Sequence, residues 1–173
     1  AFTASQKIDN MAIQPALSFG VGISTFAAQN YGAGNKDRLR RGFRQATAVS
    51  AAFSAVISLL VFLLARPLMG IFIRPEETAV LSAGVRYLRI EGAFYVGIGC
   101  LFLLYGFYRA IKHPGMSVVL TVISLGTRVV LAYALAPRTA LGVNAIWLAI
   151  PIGWVLADGA GLWFYARRRH KEG

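Results

Sequence analysis

The stretch NMAIQPALSFGVGISTFAAQNYGAGN, residues 10–35, carries no charged side chain and ends where the basic run KDRLRRGFR begins. Crossing the hydrocarbon of a bilayer takes about 20 mostly apolar residues in a helix, because lipid offers the backbone no hydrogen-bond partner. Further uncharged windows cover 45–65, 92–108 and 139–157, and a fifth, 114–136, reaches spanning length with Arg128 inside it. Five spanning helices follow, over about 4–31, 43–65, 79–111, 115–136 and 143–167. The fold class expected is all-α, a polytopic membrane helical bundle. Hydrophobic residues make up 57% of the 173 and charged residues only 14%, too apolar a balance for an ordinary soluble domain of this size.

The net charge of +11 raises the question of nucleic acid, and the placement of the charges answers it. Lys36, Arg38, Arg40, Arg41 and Arg44 follow the first span, Arg109 and Lys112 the third, and Arg167, Arg168, Arg169 and Lys171 the fifth. These are alternate connections on one side. The other side carries Arg66, Arg74 and Arg138, offset by Glu76 and Glu77. Excess Lys and Arg in short loops marks the cytoplasmic side, so the first residue is expected outside and the last inside, with membrane lipid and not nucleic acid as the partner of these charges. The chain starts AFTASQK with neither an initiator Met nor a signal peptide, and is expected to be a piece of a longer protein.

Between the second and third spans, RPLMGIFIRPEE places Pro67 and Pro75 around a short apolar stretch and is expected to form an interfacial turn. KHPG (112–115) and APRTALG (136–142) are the other tight connections. The third helix is longer than a membrane requires, so AVLSAGVRYLR should stand out as an amphipathic extension, with Arg86 and Arg89 near the interface. Pro15 and Pro151 lie inside spans and are expected to kink them. Ser50, Ser54 and Ser58 share one face, the pattern of close helix packing.

The first span bears a polar stripe: Gln6, Asn10, Gln14, Ser18, Gly22, Thr25 and Gln29 fall within less than half the helix circumference. Unsatisfied amides in lipid cost several kcal/mol each, so this face is expected against other helices or a watery cavity, and four amides in line suggest a path wall. Glu91 lies roughly 10 Å into the third helix and Arg128 roughly 12 Å into the fourth from the same side. Opposite charges at equal depth invite a buried pair; equally, Glu91 between Tyr87 and Tyr95 offers a carboxylate in an aromatic surround, suited to an organic cation or a transported proton. Asp9 and Asp158 are weaker candidates. Trp147 and Trp163 fit interfacial belts, while Trp154 falls in mid-span beside Pro151 and Asp158.

Catalytic templates are empty. There is no phosphate-binding Gly-rich loop ending in a lysine and a hydroxyl, no nucleophile elbow and no Asp-rich Mg²⁺ motif. Cys100 is the only cysteine, and His113 and His170 stand apart among basic residues, so no metal site is expected. The protein is read as a non-enzyme without a cofactor.

Residues 1–42, AFTASQKIDNMAIQPALSFGVGISTFAAQNYGAGNKDRLRRG, resemble the eighth span and following loop of multidrug and toxic compound extrusion (MATE) transporters, with the signature Gln29, Asn30, Gly32, Ala33, Gly34 and Arg38. YLRIEGAFYVGIGCLFLLYGFYRAIKHPG (87–115) is similar to their tenth span and PIGWVLAD (151–158) to their twelfth. The resemblance implies spans eight to twelve of a twelve-helix transporter, part of the second six-helix lobe. The first lobe and the seventh span would lie upstream. It implies export of organic cations or drugs across a bacterial inner membrane in exchange for Na⁺ or H⁺. The acidic position that some members use for Na⁺ in the tenth span falls near Ile98 or Gly99, neither of them acidic. Residues expected to wall the pathway are Gln6, Asn10, Gln14, Ser18, Thr25, Tyr87, Glu91, Tyr95 and Arg128. The rival readings are a lipid-linked oligosaccharide flippase of the same broad architecture and a non-transporting membrane scaffold.

Overall fold

A computed structural model describes the backbone of residues 2–135 and 143–171, and side chains over 2–134 and 144–168. The expected connection APRTALG, with Arg138, lies outside the described residues, as do the side chains of Arg169, His170 and Lys171. Six helices follow in order: α1 Phe2–Gly32, α2 Lys36–Gly70, α3 Thr78–Gly92, α4 Tyr95–Ala110, α5 Pro114–Leu135 and α6 Val143–Lys171. Four of them are long and apolar enough to cross a membrane, and α3 with α4, bent by 51° at their junction, reach that length and composition together as a candidate fifth.

The boundary between α1 and α2 comes from backbone chemistry. Gly34 takes φ +72°, the left-handed conformation that costs a side-chain-free residue nothing. Its N–H reaches Tyr31 O at 3.1 Å and that of Asn35 reaches Asn30 O at 2.9 Å, the paired bonds of a Schellman stop. The basic run expected as a loop is instead the first turns of α2. Leu39 and Phe43, four apart, are buried, while Arg38, Arg41 and Arg44 stay exposed, so the segment is an amphipathic helix start. At its far end α2 continues through Pro67 to Gly70, and the expected interfacial turn shrinks to residues 71–77.

The expected single helix over 79–111 is broken. Phe94, at φ −117° and ψ 17°, interrupts it, and its N–H bonds Glu91 O, three residues back. No proline stands there. Helices α1, α2 and α6 run without a break through Pro15, Pro67 and Pro151.

Helix α4 is central, packed against α1, α2, α5 and α6. Its contact with α1 is backbone on backbone: a Cβ on Gly20 would lie 2.7 Å from Phe102 O, and one on Gly106 would run into Gly20 O. Small residues allow this approach, which in lipid replaces the hydrophobic drive between helices. At the basic end an aromatic core of Phe43, Phe107, Tyr108 and Tyr165 closes the bundle, and the Tyr108 hydroxyl donates to Gly161 O at 2.5 Å.

Candidate functional site

Three elements bring acidic and phenolic groups to one buried point. Asp9 enters from the packed face of α1, where Ser5, Ile8, Ala16 and Gly20 are also buried. Tyr87 and Glu91 come from the last turns of α3, and Tyr95 from the first residue of α4. Tyr87 donates to Asp9 Oδ2 at 3.2 Å and Tyr95 donates to Asp9 Oδ1. Asp9 is 6% exposed, Glu91 2%, and both tyrosines 3%, so the group is closed to lipid and to bulk water. Phe2 and Trp147 pack edge-on against Tyr87 at 5.5 and 5.6 Å, completing an aromatic surround.

Glu91 lies beside Asp9 and the Tyr87 hydroxyl, and its Oε1 has no hydrogen-bond partner. The pair expected with Arg128 does not close: the guanidinium is near enough to attract the carboxylate, but among the described residues no ion pair joins them. Arg128 packs instead over the ring of Trp154 at 5.5 Å, with its Nε unpartnered. The competitor is the indole face, which suits a guanidinium in low dielectric without its being neutralised. Asp158 forms a separate, deeper feature next to Cys100, with Oδ1 unpartnered.

The polar stripe does not join this cluster. Gln6, Asn10, Gln14, Ser18, Gly22, Thr25 and Gln29 are all exposed on the side of α1 that no other described helix covers. Ser18 bonds Gln14 O at 3.2 Å and Thr25 bonds Val21 O at 3.4 Å, so both hydroxyls are satisfied by their own helix. The expected single wall of stripe, Tyr87, Glu91 and Tyr95 is thus two surfaces. One is a buried acid–tyrosine centre. The other is an open polar face, beside which Gln14, Ser18, Phe26, Gln45 and Phe53 line an 860 Å³ groove between α1 and α2. Of the signature residues, Asn30 is buried and its Nδ2 donates to Phe26 O at 2.8 Å, Gly32, Ala33 and Gly34 form the helix stop, and Gln29 and Arg38 face outward.

Asp9 is the residue to which sequence reasoning gave too little weight. Its signal was present: an acid within a membrane-length helix, off the polar stripe, can only point into the bundle.

A helical bundle of membrane-length spans with charged groups buried inside it defines a multi-pass membrane protein. The sequence profile of the MatE family matches residues 1–134, and the chain belongs to that family. It is 29% identical to the probable multidrug resistance protein YpnP of Bacillus subtilis, over 98% of this chain and 38% of the relative. It is 23% identical to the probable multidrug resistance protein NorM of Thermotoga maritima, over 83% of this chain and 31% of that protein. Among solved structures, an outward-facing multidrug resistance MATE family transporter of the MOP superfamily superposes with a TM-score of 0.89 at 23% identity, covering 96% of this chain and 37% of the other. A MOP superfamily transporter from Pyrococcus furiosus superposes with a TM-score of 0.88 at 24% identity, again over 96% of this chain and 37% of the other. The chain therefore spans about a third of the length of the proteins it matches.

Proposed function

We propose that these helices are the greater part of the second lobe of a twelve-span secondary antiporter that exports organic cations and drugs in exchange for Na⁺ or H⁺. The observation that carries this reading is the Asp9–Glu91 centre. Two adjacent carboxylates in a dry site repel each other, and a shared proton or small cation between them relieves that repulsion. Tyr87 and Tyr95 hold Asp9 in place, and Arg128 supplies a fixed positive charge nearby that an incoming cation must outcompete. An ion bound there ties α1 to the α3–α4 junction, so its arrival and release can bias a bend between two arrangements, the requirement of alternating access. The exposed stripe of α1 then faces the substrate cavity and the first lobe. Drug efflux is favoured over the flippase by the scarcity of deep basic residues, since Arg128 alone would have to meet a pyrophosphate. It is favoured over the scaffold by the cost of burying two acids that no packing role requires.

The basic end, with Lys36, Arg38, Arg40, Arg41, Arg44, Arg109 and Lys112, faces the cytoplasm of a bacterial inner membrane in this reading. The chain acts without a cofactor and is not an enzyme.

These helices are not competent for transport alone, so the test is ethidium efflux by the full-length transporter that contains them, in proteoliposomes under imposed Na⁺ or H⁺ gradients. Asp9→Asn and Glu91→Gln should each lower gradient-driven efflux at least tenfold with the melting temperature little changed. Full efflux in both variants would sink the assignment.

A further inference from the structure

Three arginines stand at the end of the bundle where the topology rule leaves cations sparse, and they converge on one groove. Arg66 projects from α2, and Arg86 and Arg89 from α3; all three are exposed, and no carboxylate lines the groove. Glu76 and Glu77 sit in the nearby turn without reaching it, and among the described residues none of the three arginines is in an ion pair. The rest of the groove wall is mostly apolar, with Phe62 and Ile90 further from the outer end than the arginines of their own helices, and the space is about 1040 Å³. Arg89 bridges the two helices, its guanidinium 5.4 Å from the Phe62 ring. Like charges held together without a counter-ion cost energy, and as topology signals these are on the wrong side.

We propose that this groove is a specific site for one anionic phospholipid. The headgroup phosphate is clasped by Arg66, Arg86 and Arg89, and an acyl chain lies along Phe62 and Ile90. Guanidiniums bind phosphate through paired N–H donors, and basic pockets between spans are where anionic headgroups settle. The volume and the apolar walls select a lipid over a free anion. The site also has a consequence for the bend: α3 presents Arg86 and Arg89 to the groove and Tyr87 and Glu91 to the buried centre, so the lipid braces the half-helix that carries the candidate ion site. The lipid site does not depend on the transport reading, because its readout is binding.

The full chain, purified in detergent, would be titrated with dioleoyl phosphatidylglycerol or dioleoyl phosphatidylcholine and the retained lipid counted by native mass spectrometry. Saturable retention of one phosphatidylglycerol is expected, about fivefold weaker for each of Arg66→Gln, Arg86→Gln and Arg89→Gln. Retention should be unchanged in Arg74→Gln, outside the groove, and weaker but still selective for phosphatidylglycerol in the triple Arg→Lys variant, which keeps the charge, loses the paired donors and covers the case in which a Gln variant fails to fold. A photo-reactive residue at Ile90 should label lipid. Equal retention of both lipids, competition by glycerol phosphate as strong as by the lipid, or labelling of protein alone at Ile90 would each overturn the proposal.

Discussion

Asp9 accepts from two tyrosines that lie 78 and 86 residues further along the chain. Spacing rules could pair Tyr87, Glu91 and Tyr95, because those sit one turn apart, but no periodicity reports which residue of α1 meets them. That partner was fixed only by packing. Tyr95→Phe removes one donor and leaves Asp9 Oδ1 short of a partner in a buried place, a loss of about 1–3 kcal/mol. Melting of the full chain in detergent should fall accordingly, while Tyr105→Phe, whose hydroxyl accepts from the exposed Thr121, should change little. The glycines give a second contrast at this scale. Gly106→Ala drives a methyl into Gly20 O across the α1–α4 contact and should cost about 1–3 kcal/mol. Gly22→Ala meets nothing within 4 Å among the described residues and should be neutral in the same melt.

Spans were legible because uncharged length is a physical requirement of lipid. The break at Phe94 was hidden. Prolines drew attention to Pro15 and Pro151, whose helices run on, whereas the interruption sits at a junction with no proline and has a tertiary cause. Tyr87 and Tyr95 are eight residues apart, roughly 12 Å along a straight helix, yet both hydroxyls reach one carboxylate. The 51° bend lies between them. Removing the shared acceptor should relax it. Spin labels at Ser82 and Arg109 would stand about 40 Å apart on a straight helix and roughly 4 Å less with the bend. In the full chain, Asp9→Leu should shift the distance distribution toward the longer value. An unchanged distribution would place the cause of the bend in the α2 and α6 packing instead.

For the whole molecule, charge and polarity predict a covered face that the described helices do not supply. The stripe on α1 could be read as a face that lipid would not tolerate, yet the described helices leave it open, and this chain spans 38% of YpnP and 37% of the outward-facing transporter that it matches. Lipid contact and a watery cavity make opposite demands on the same positions, and thiol chemistry separates them. In a Cys100→Ser background, Gln14→Cys and Ser18→Cys should react with a membrane-impermeant maleimide in cells making the full chain. Val122→Cys and Val129→Cys, on the apolar outer face of α5, should not, because a charged reagent does not enter hydrocarbon. If the stripe faces the pathway, an excess of transported ethidium should slow labelling at Gln14 and Ser18 at least severalfold. Stripe positions that stay unreactive, with α5 equally silent, would mean that α1 is sealed against another helix, and the pathway would then have to run elsewhere than along Gln6, Asn10, Gln14 and Ser18.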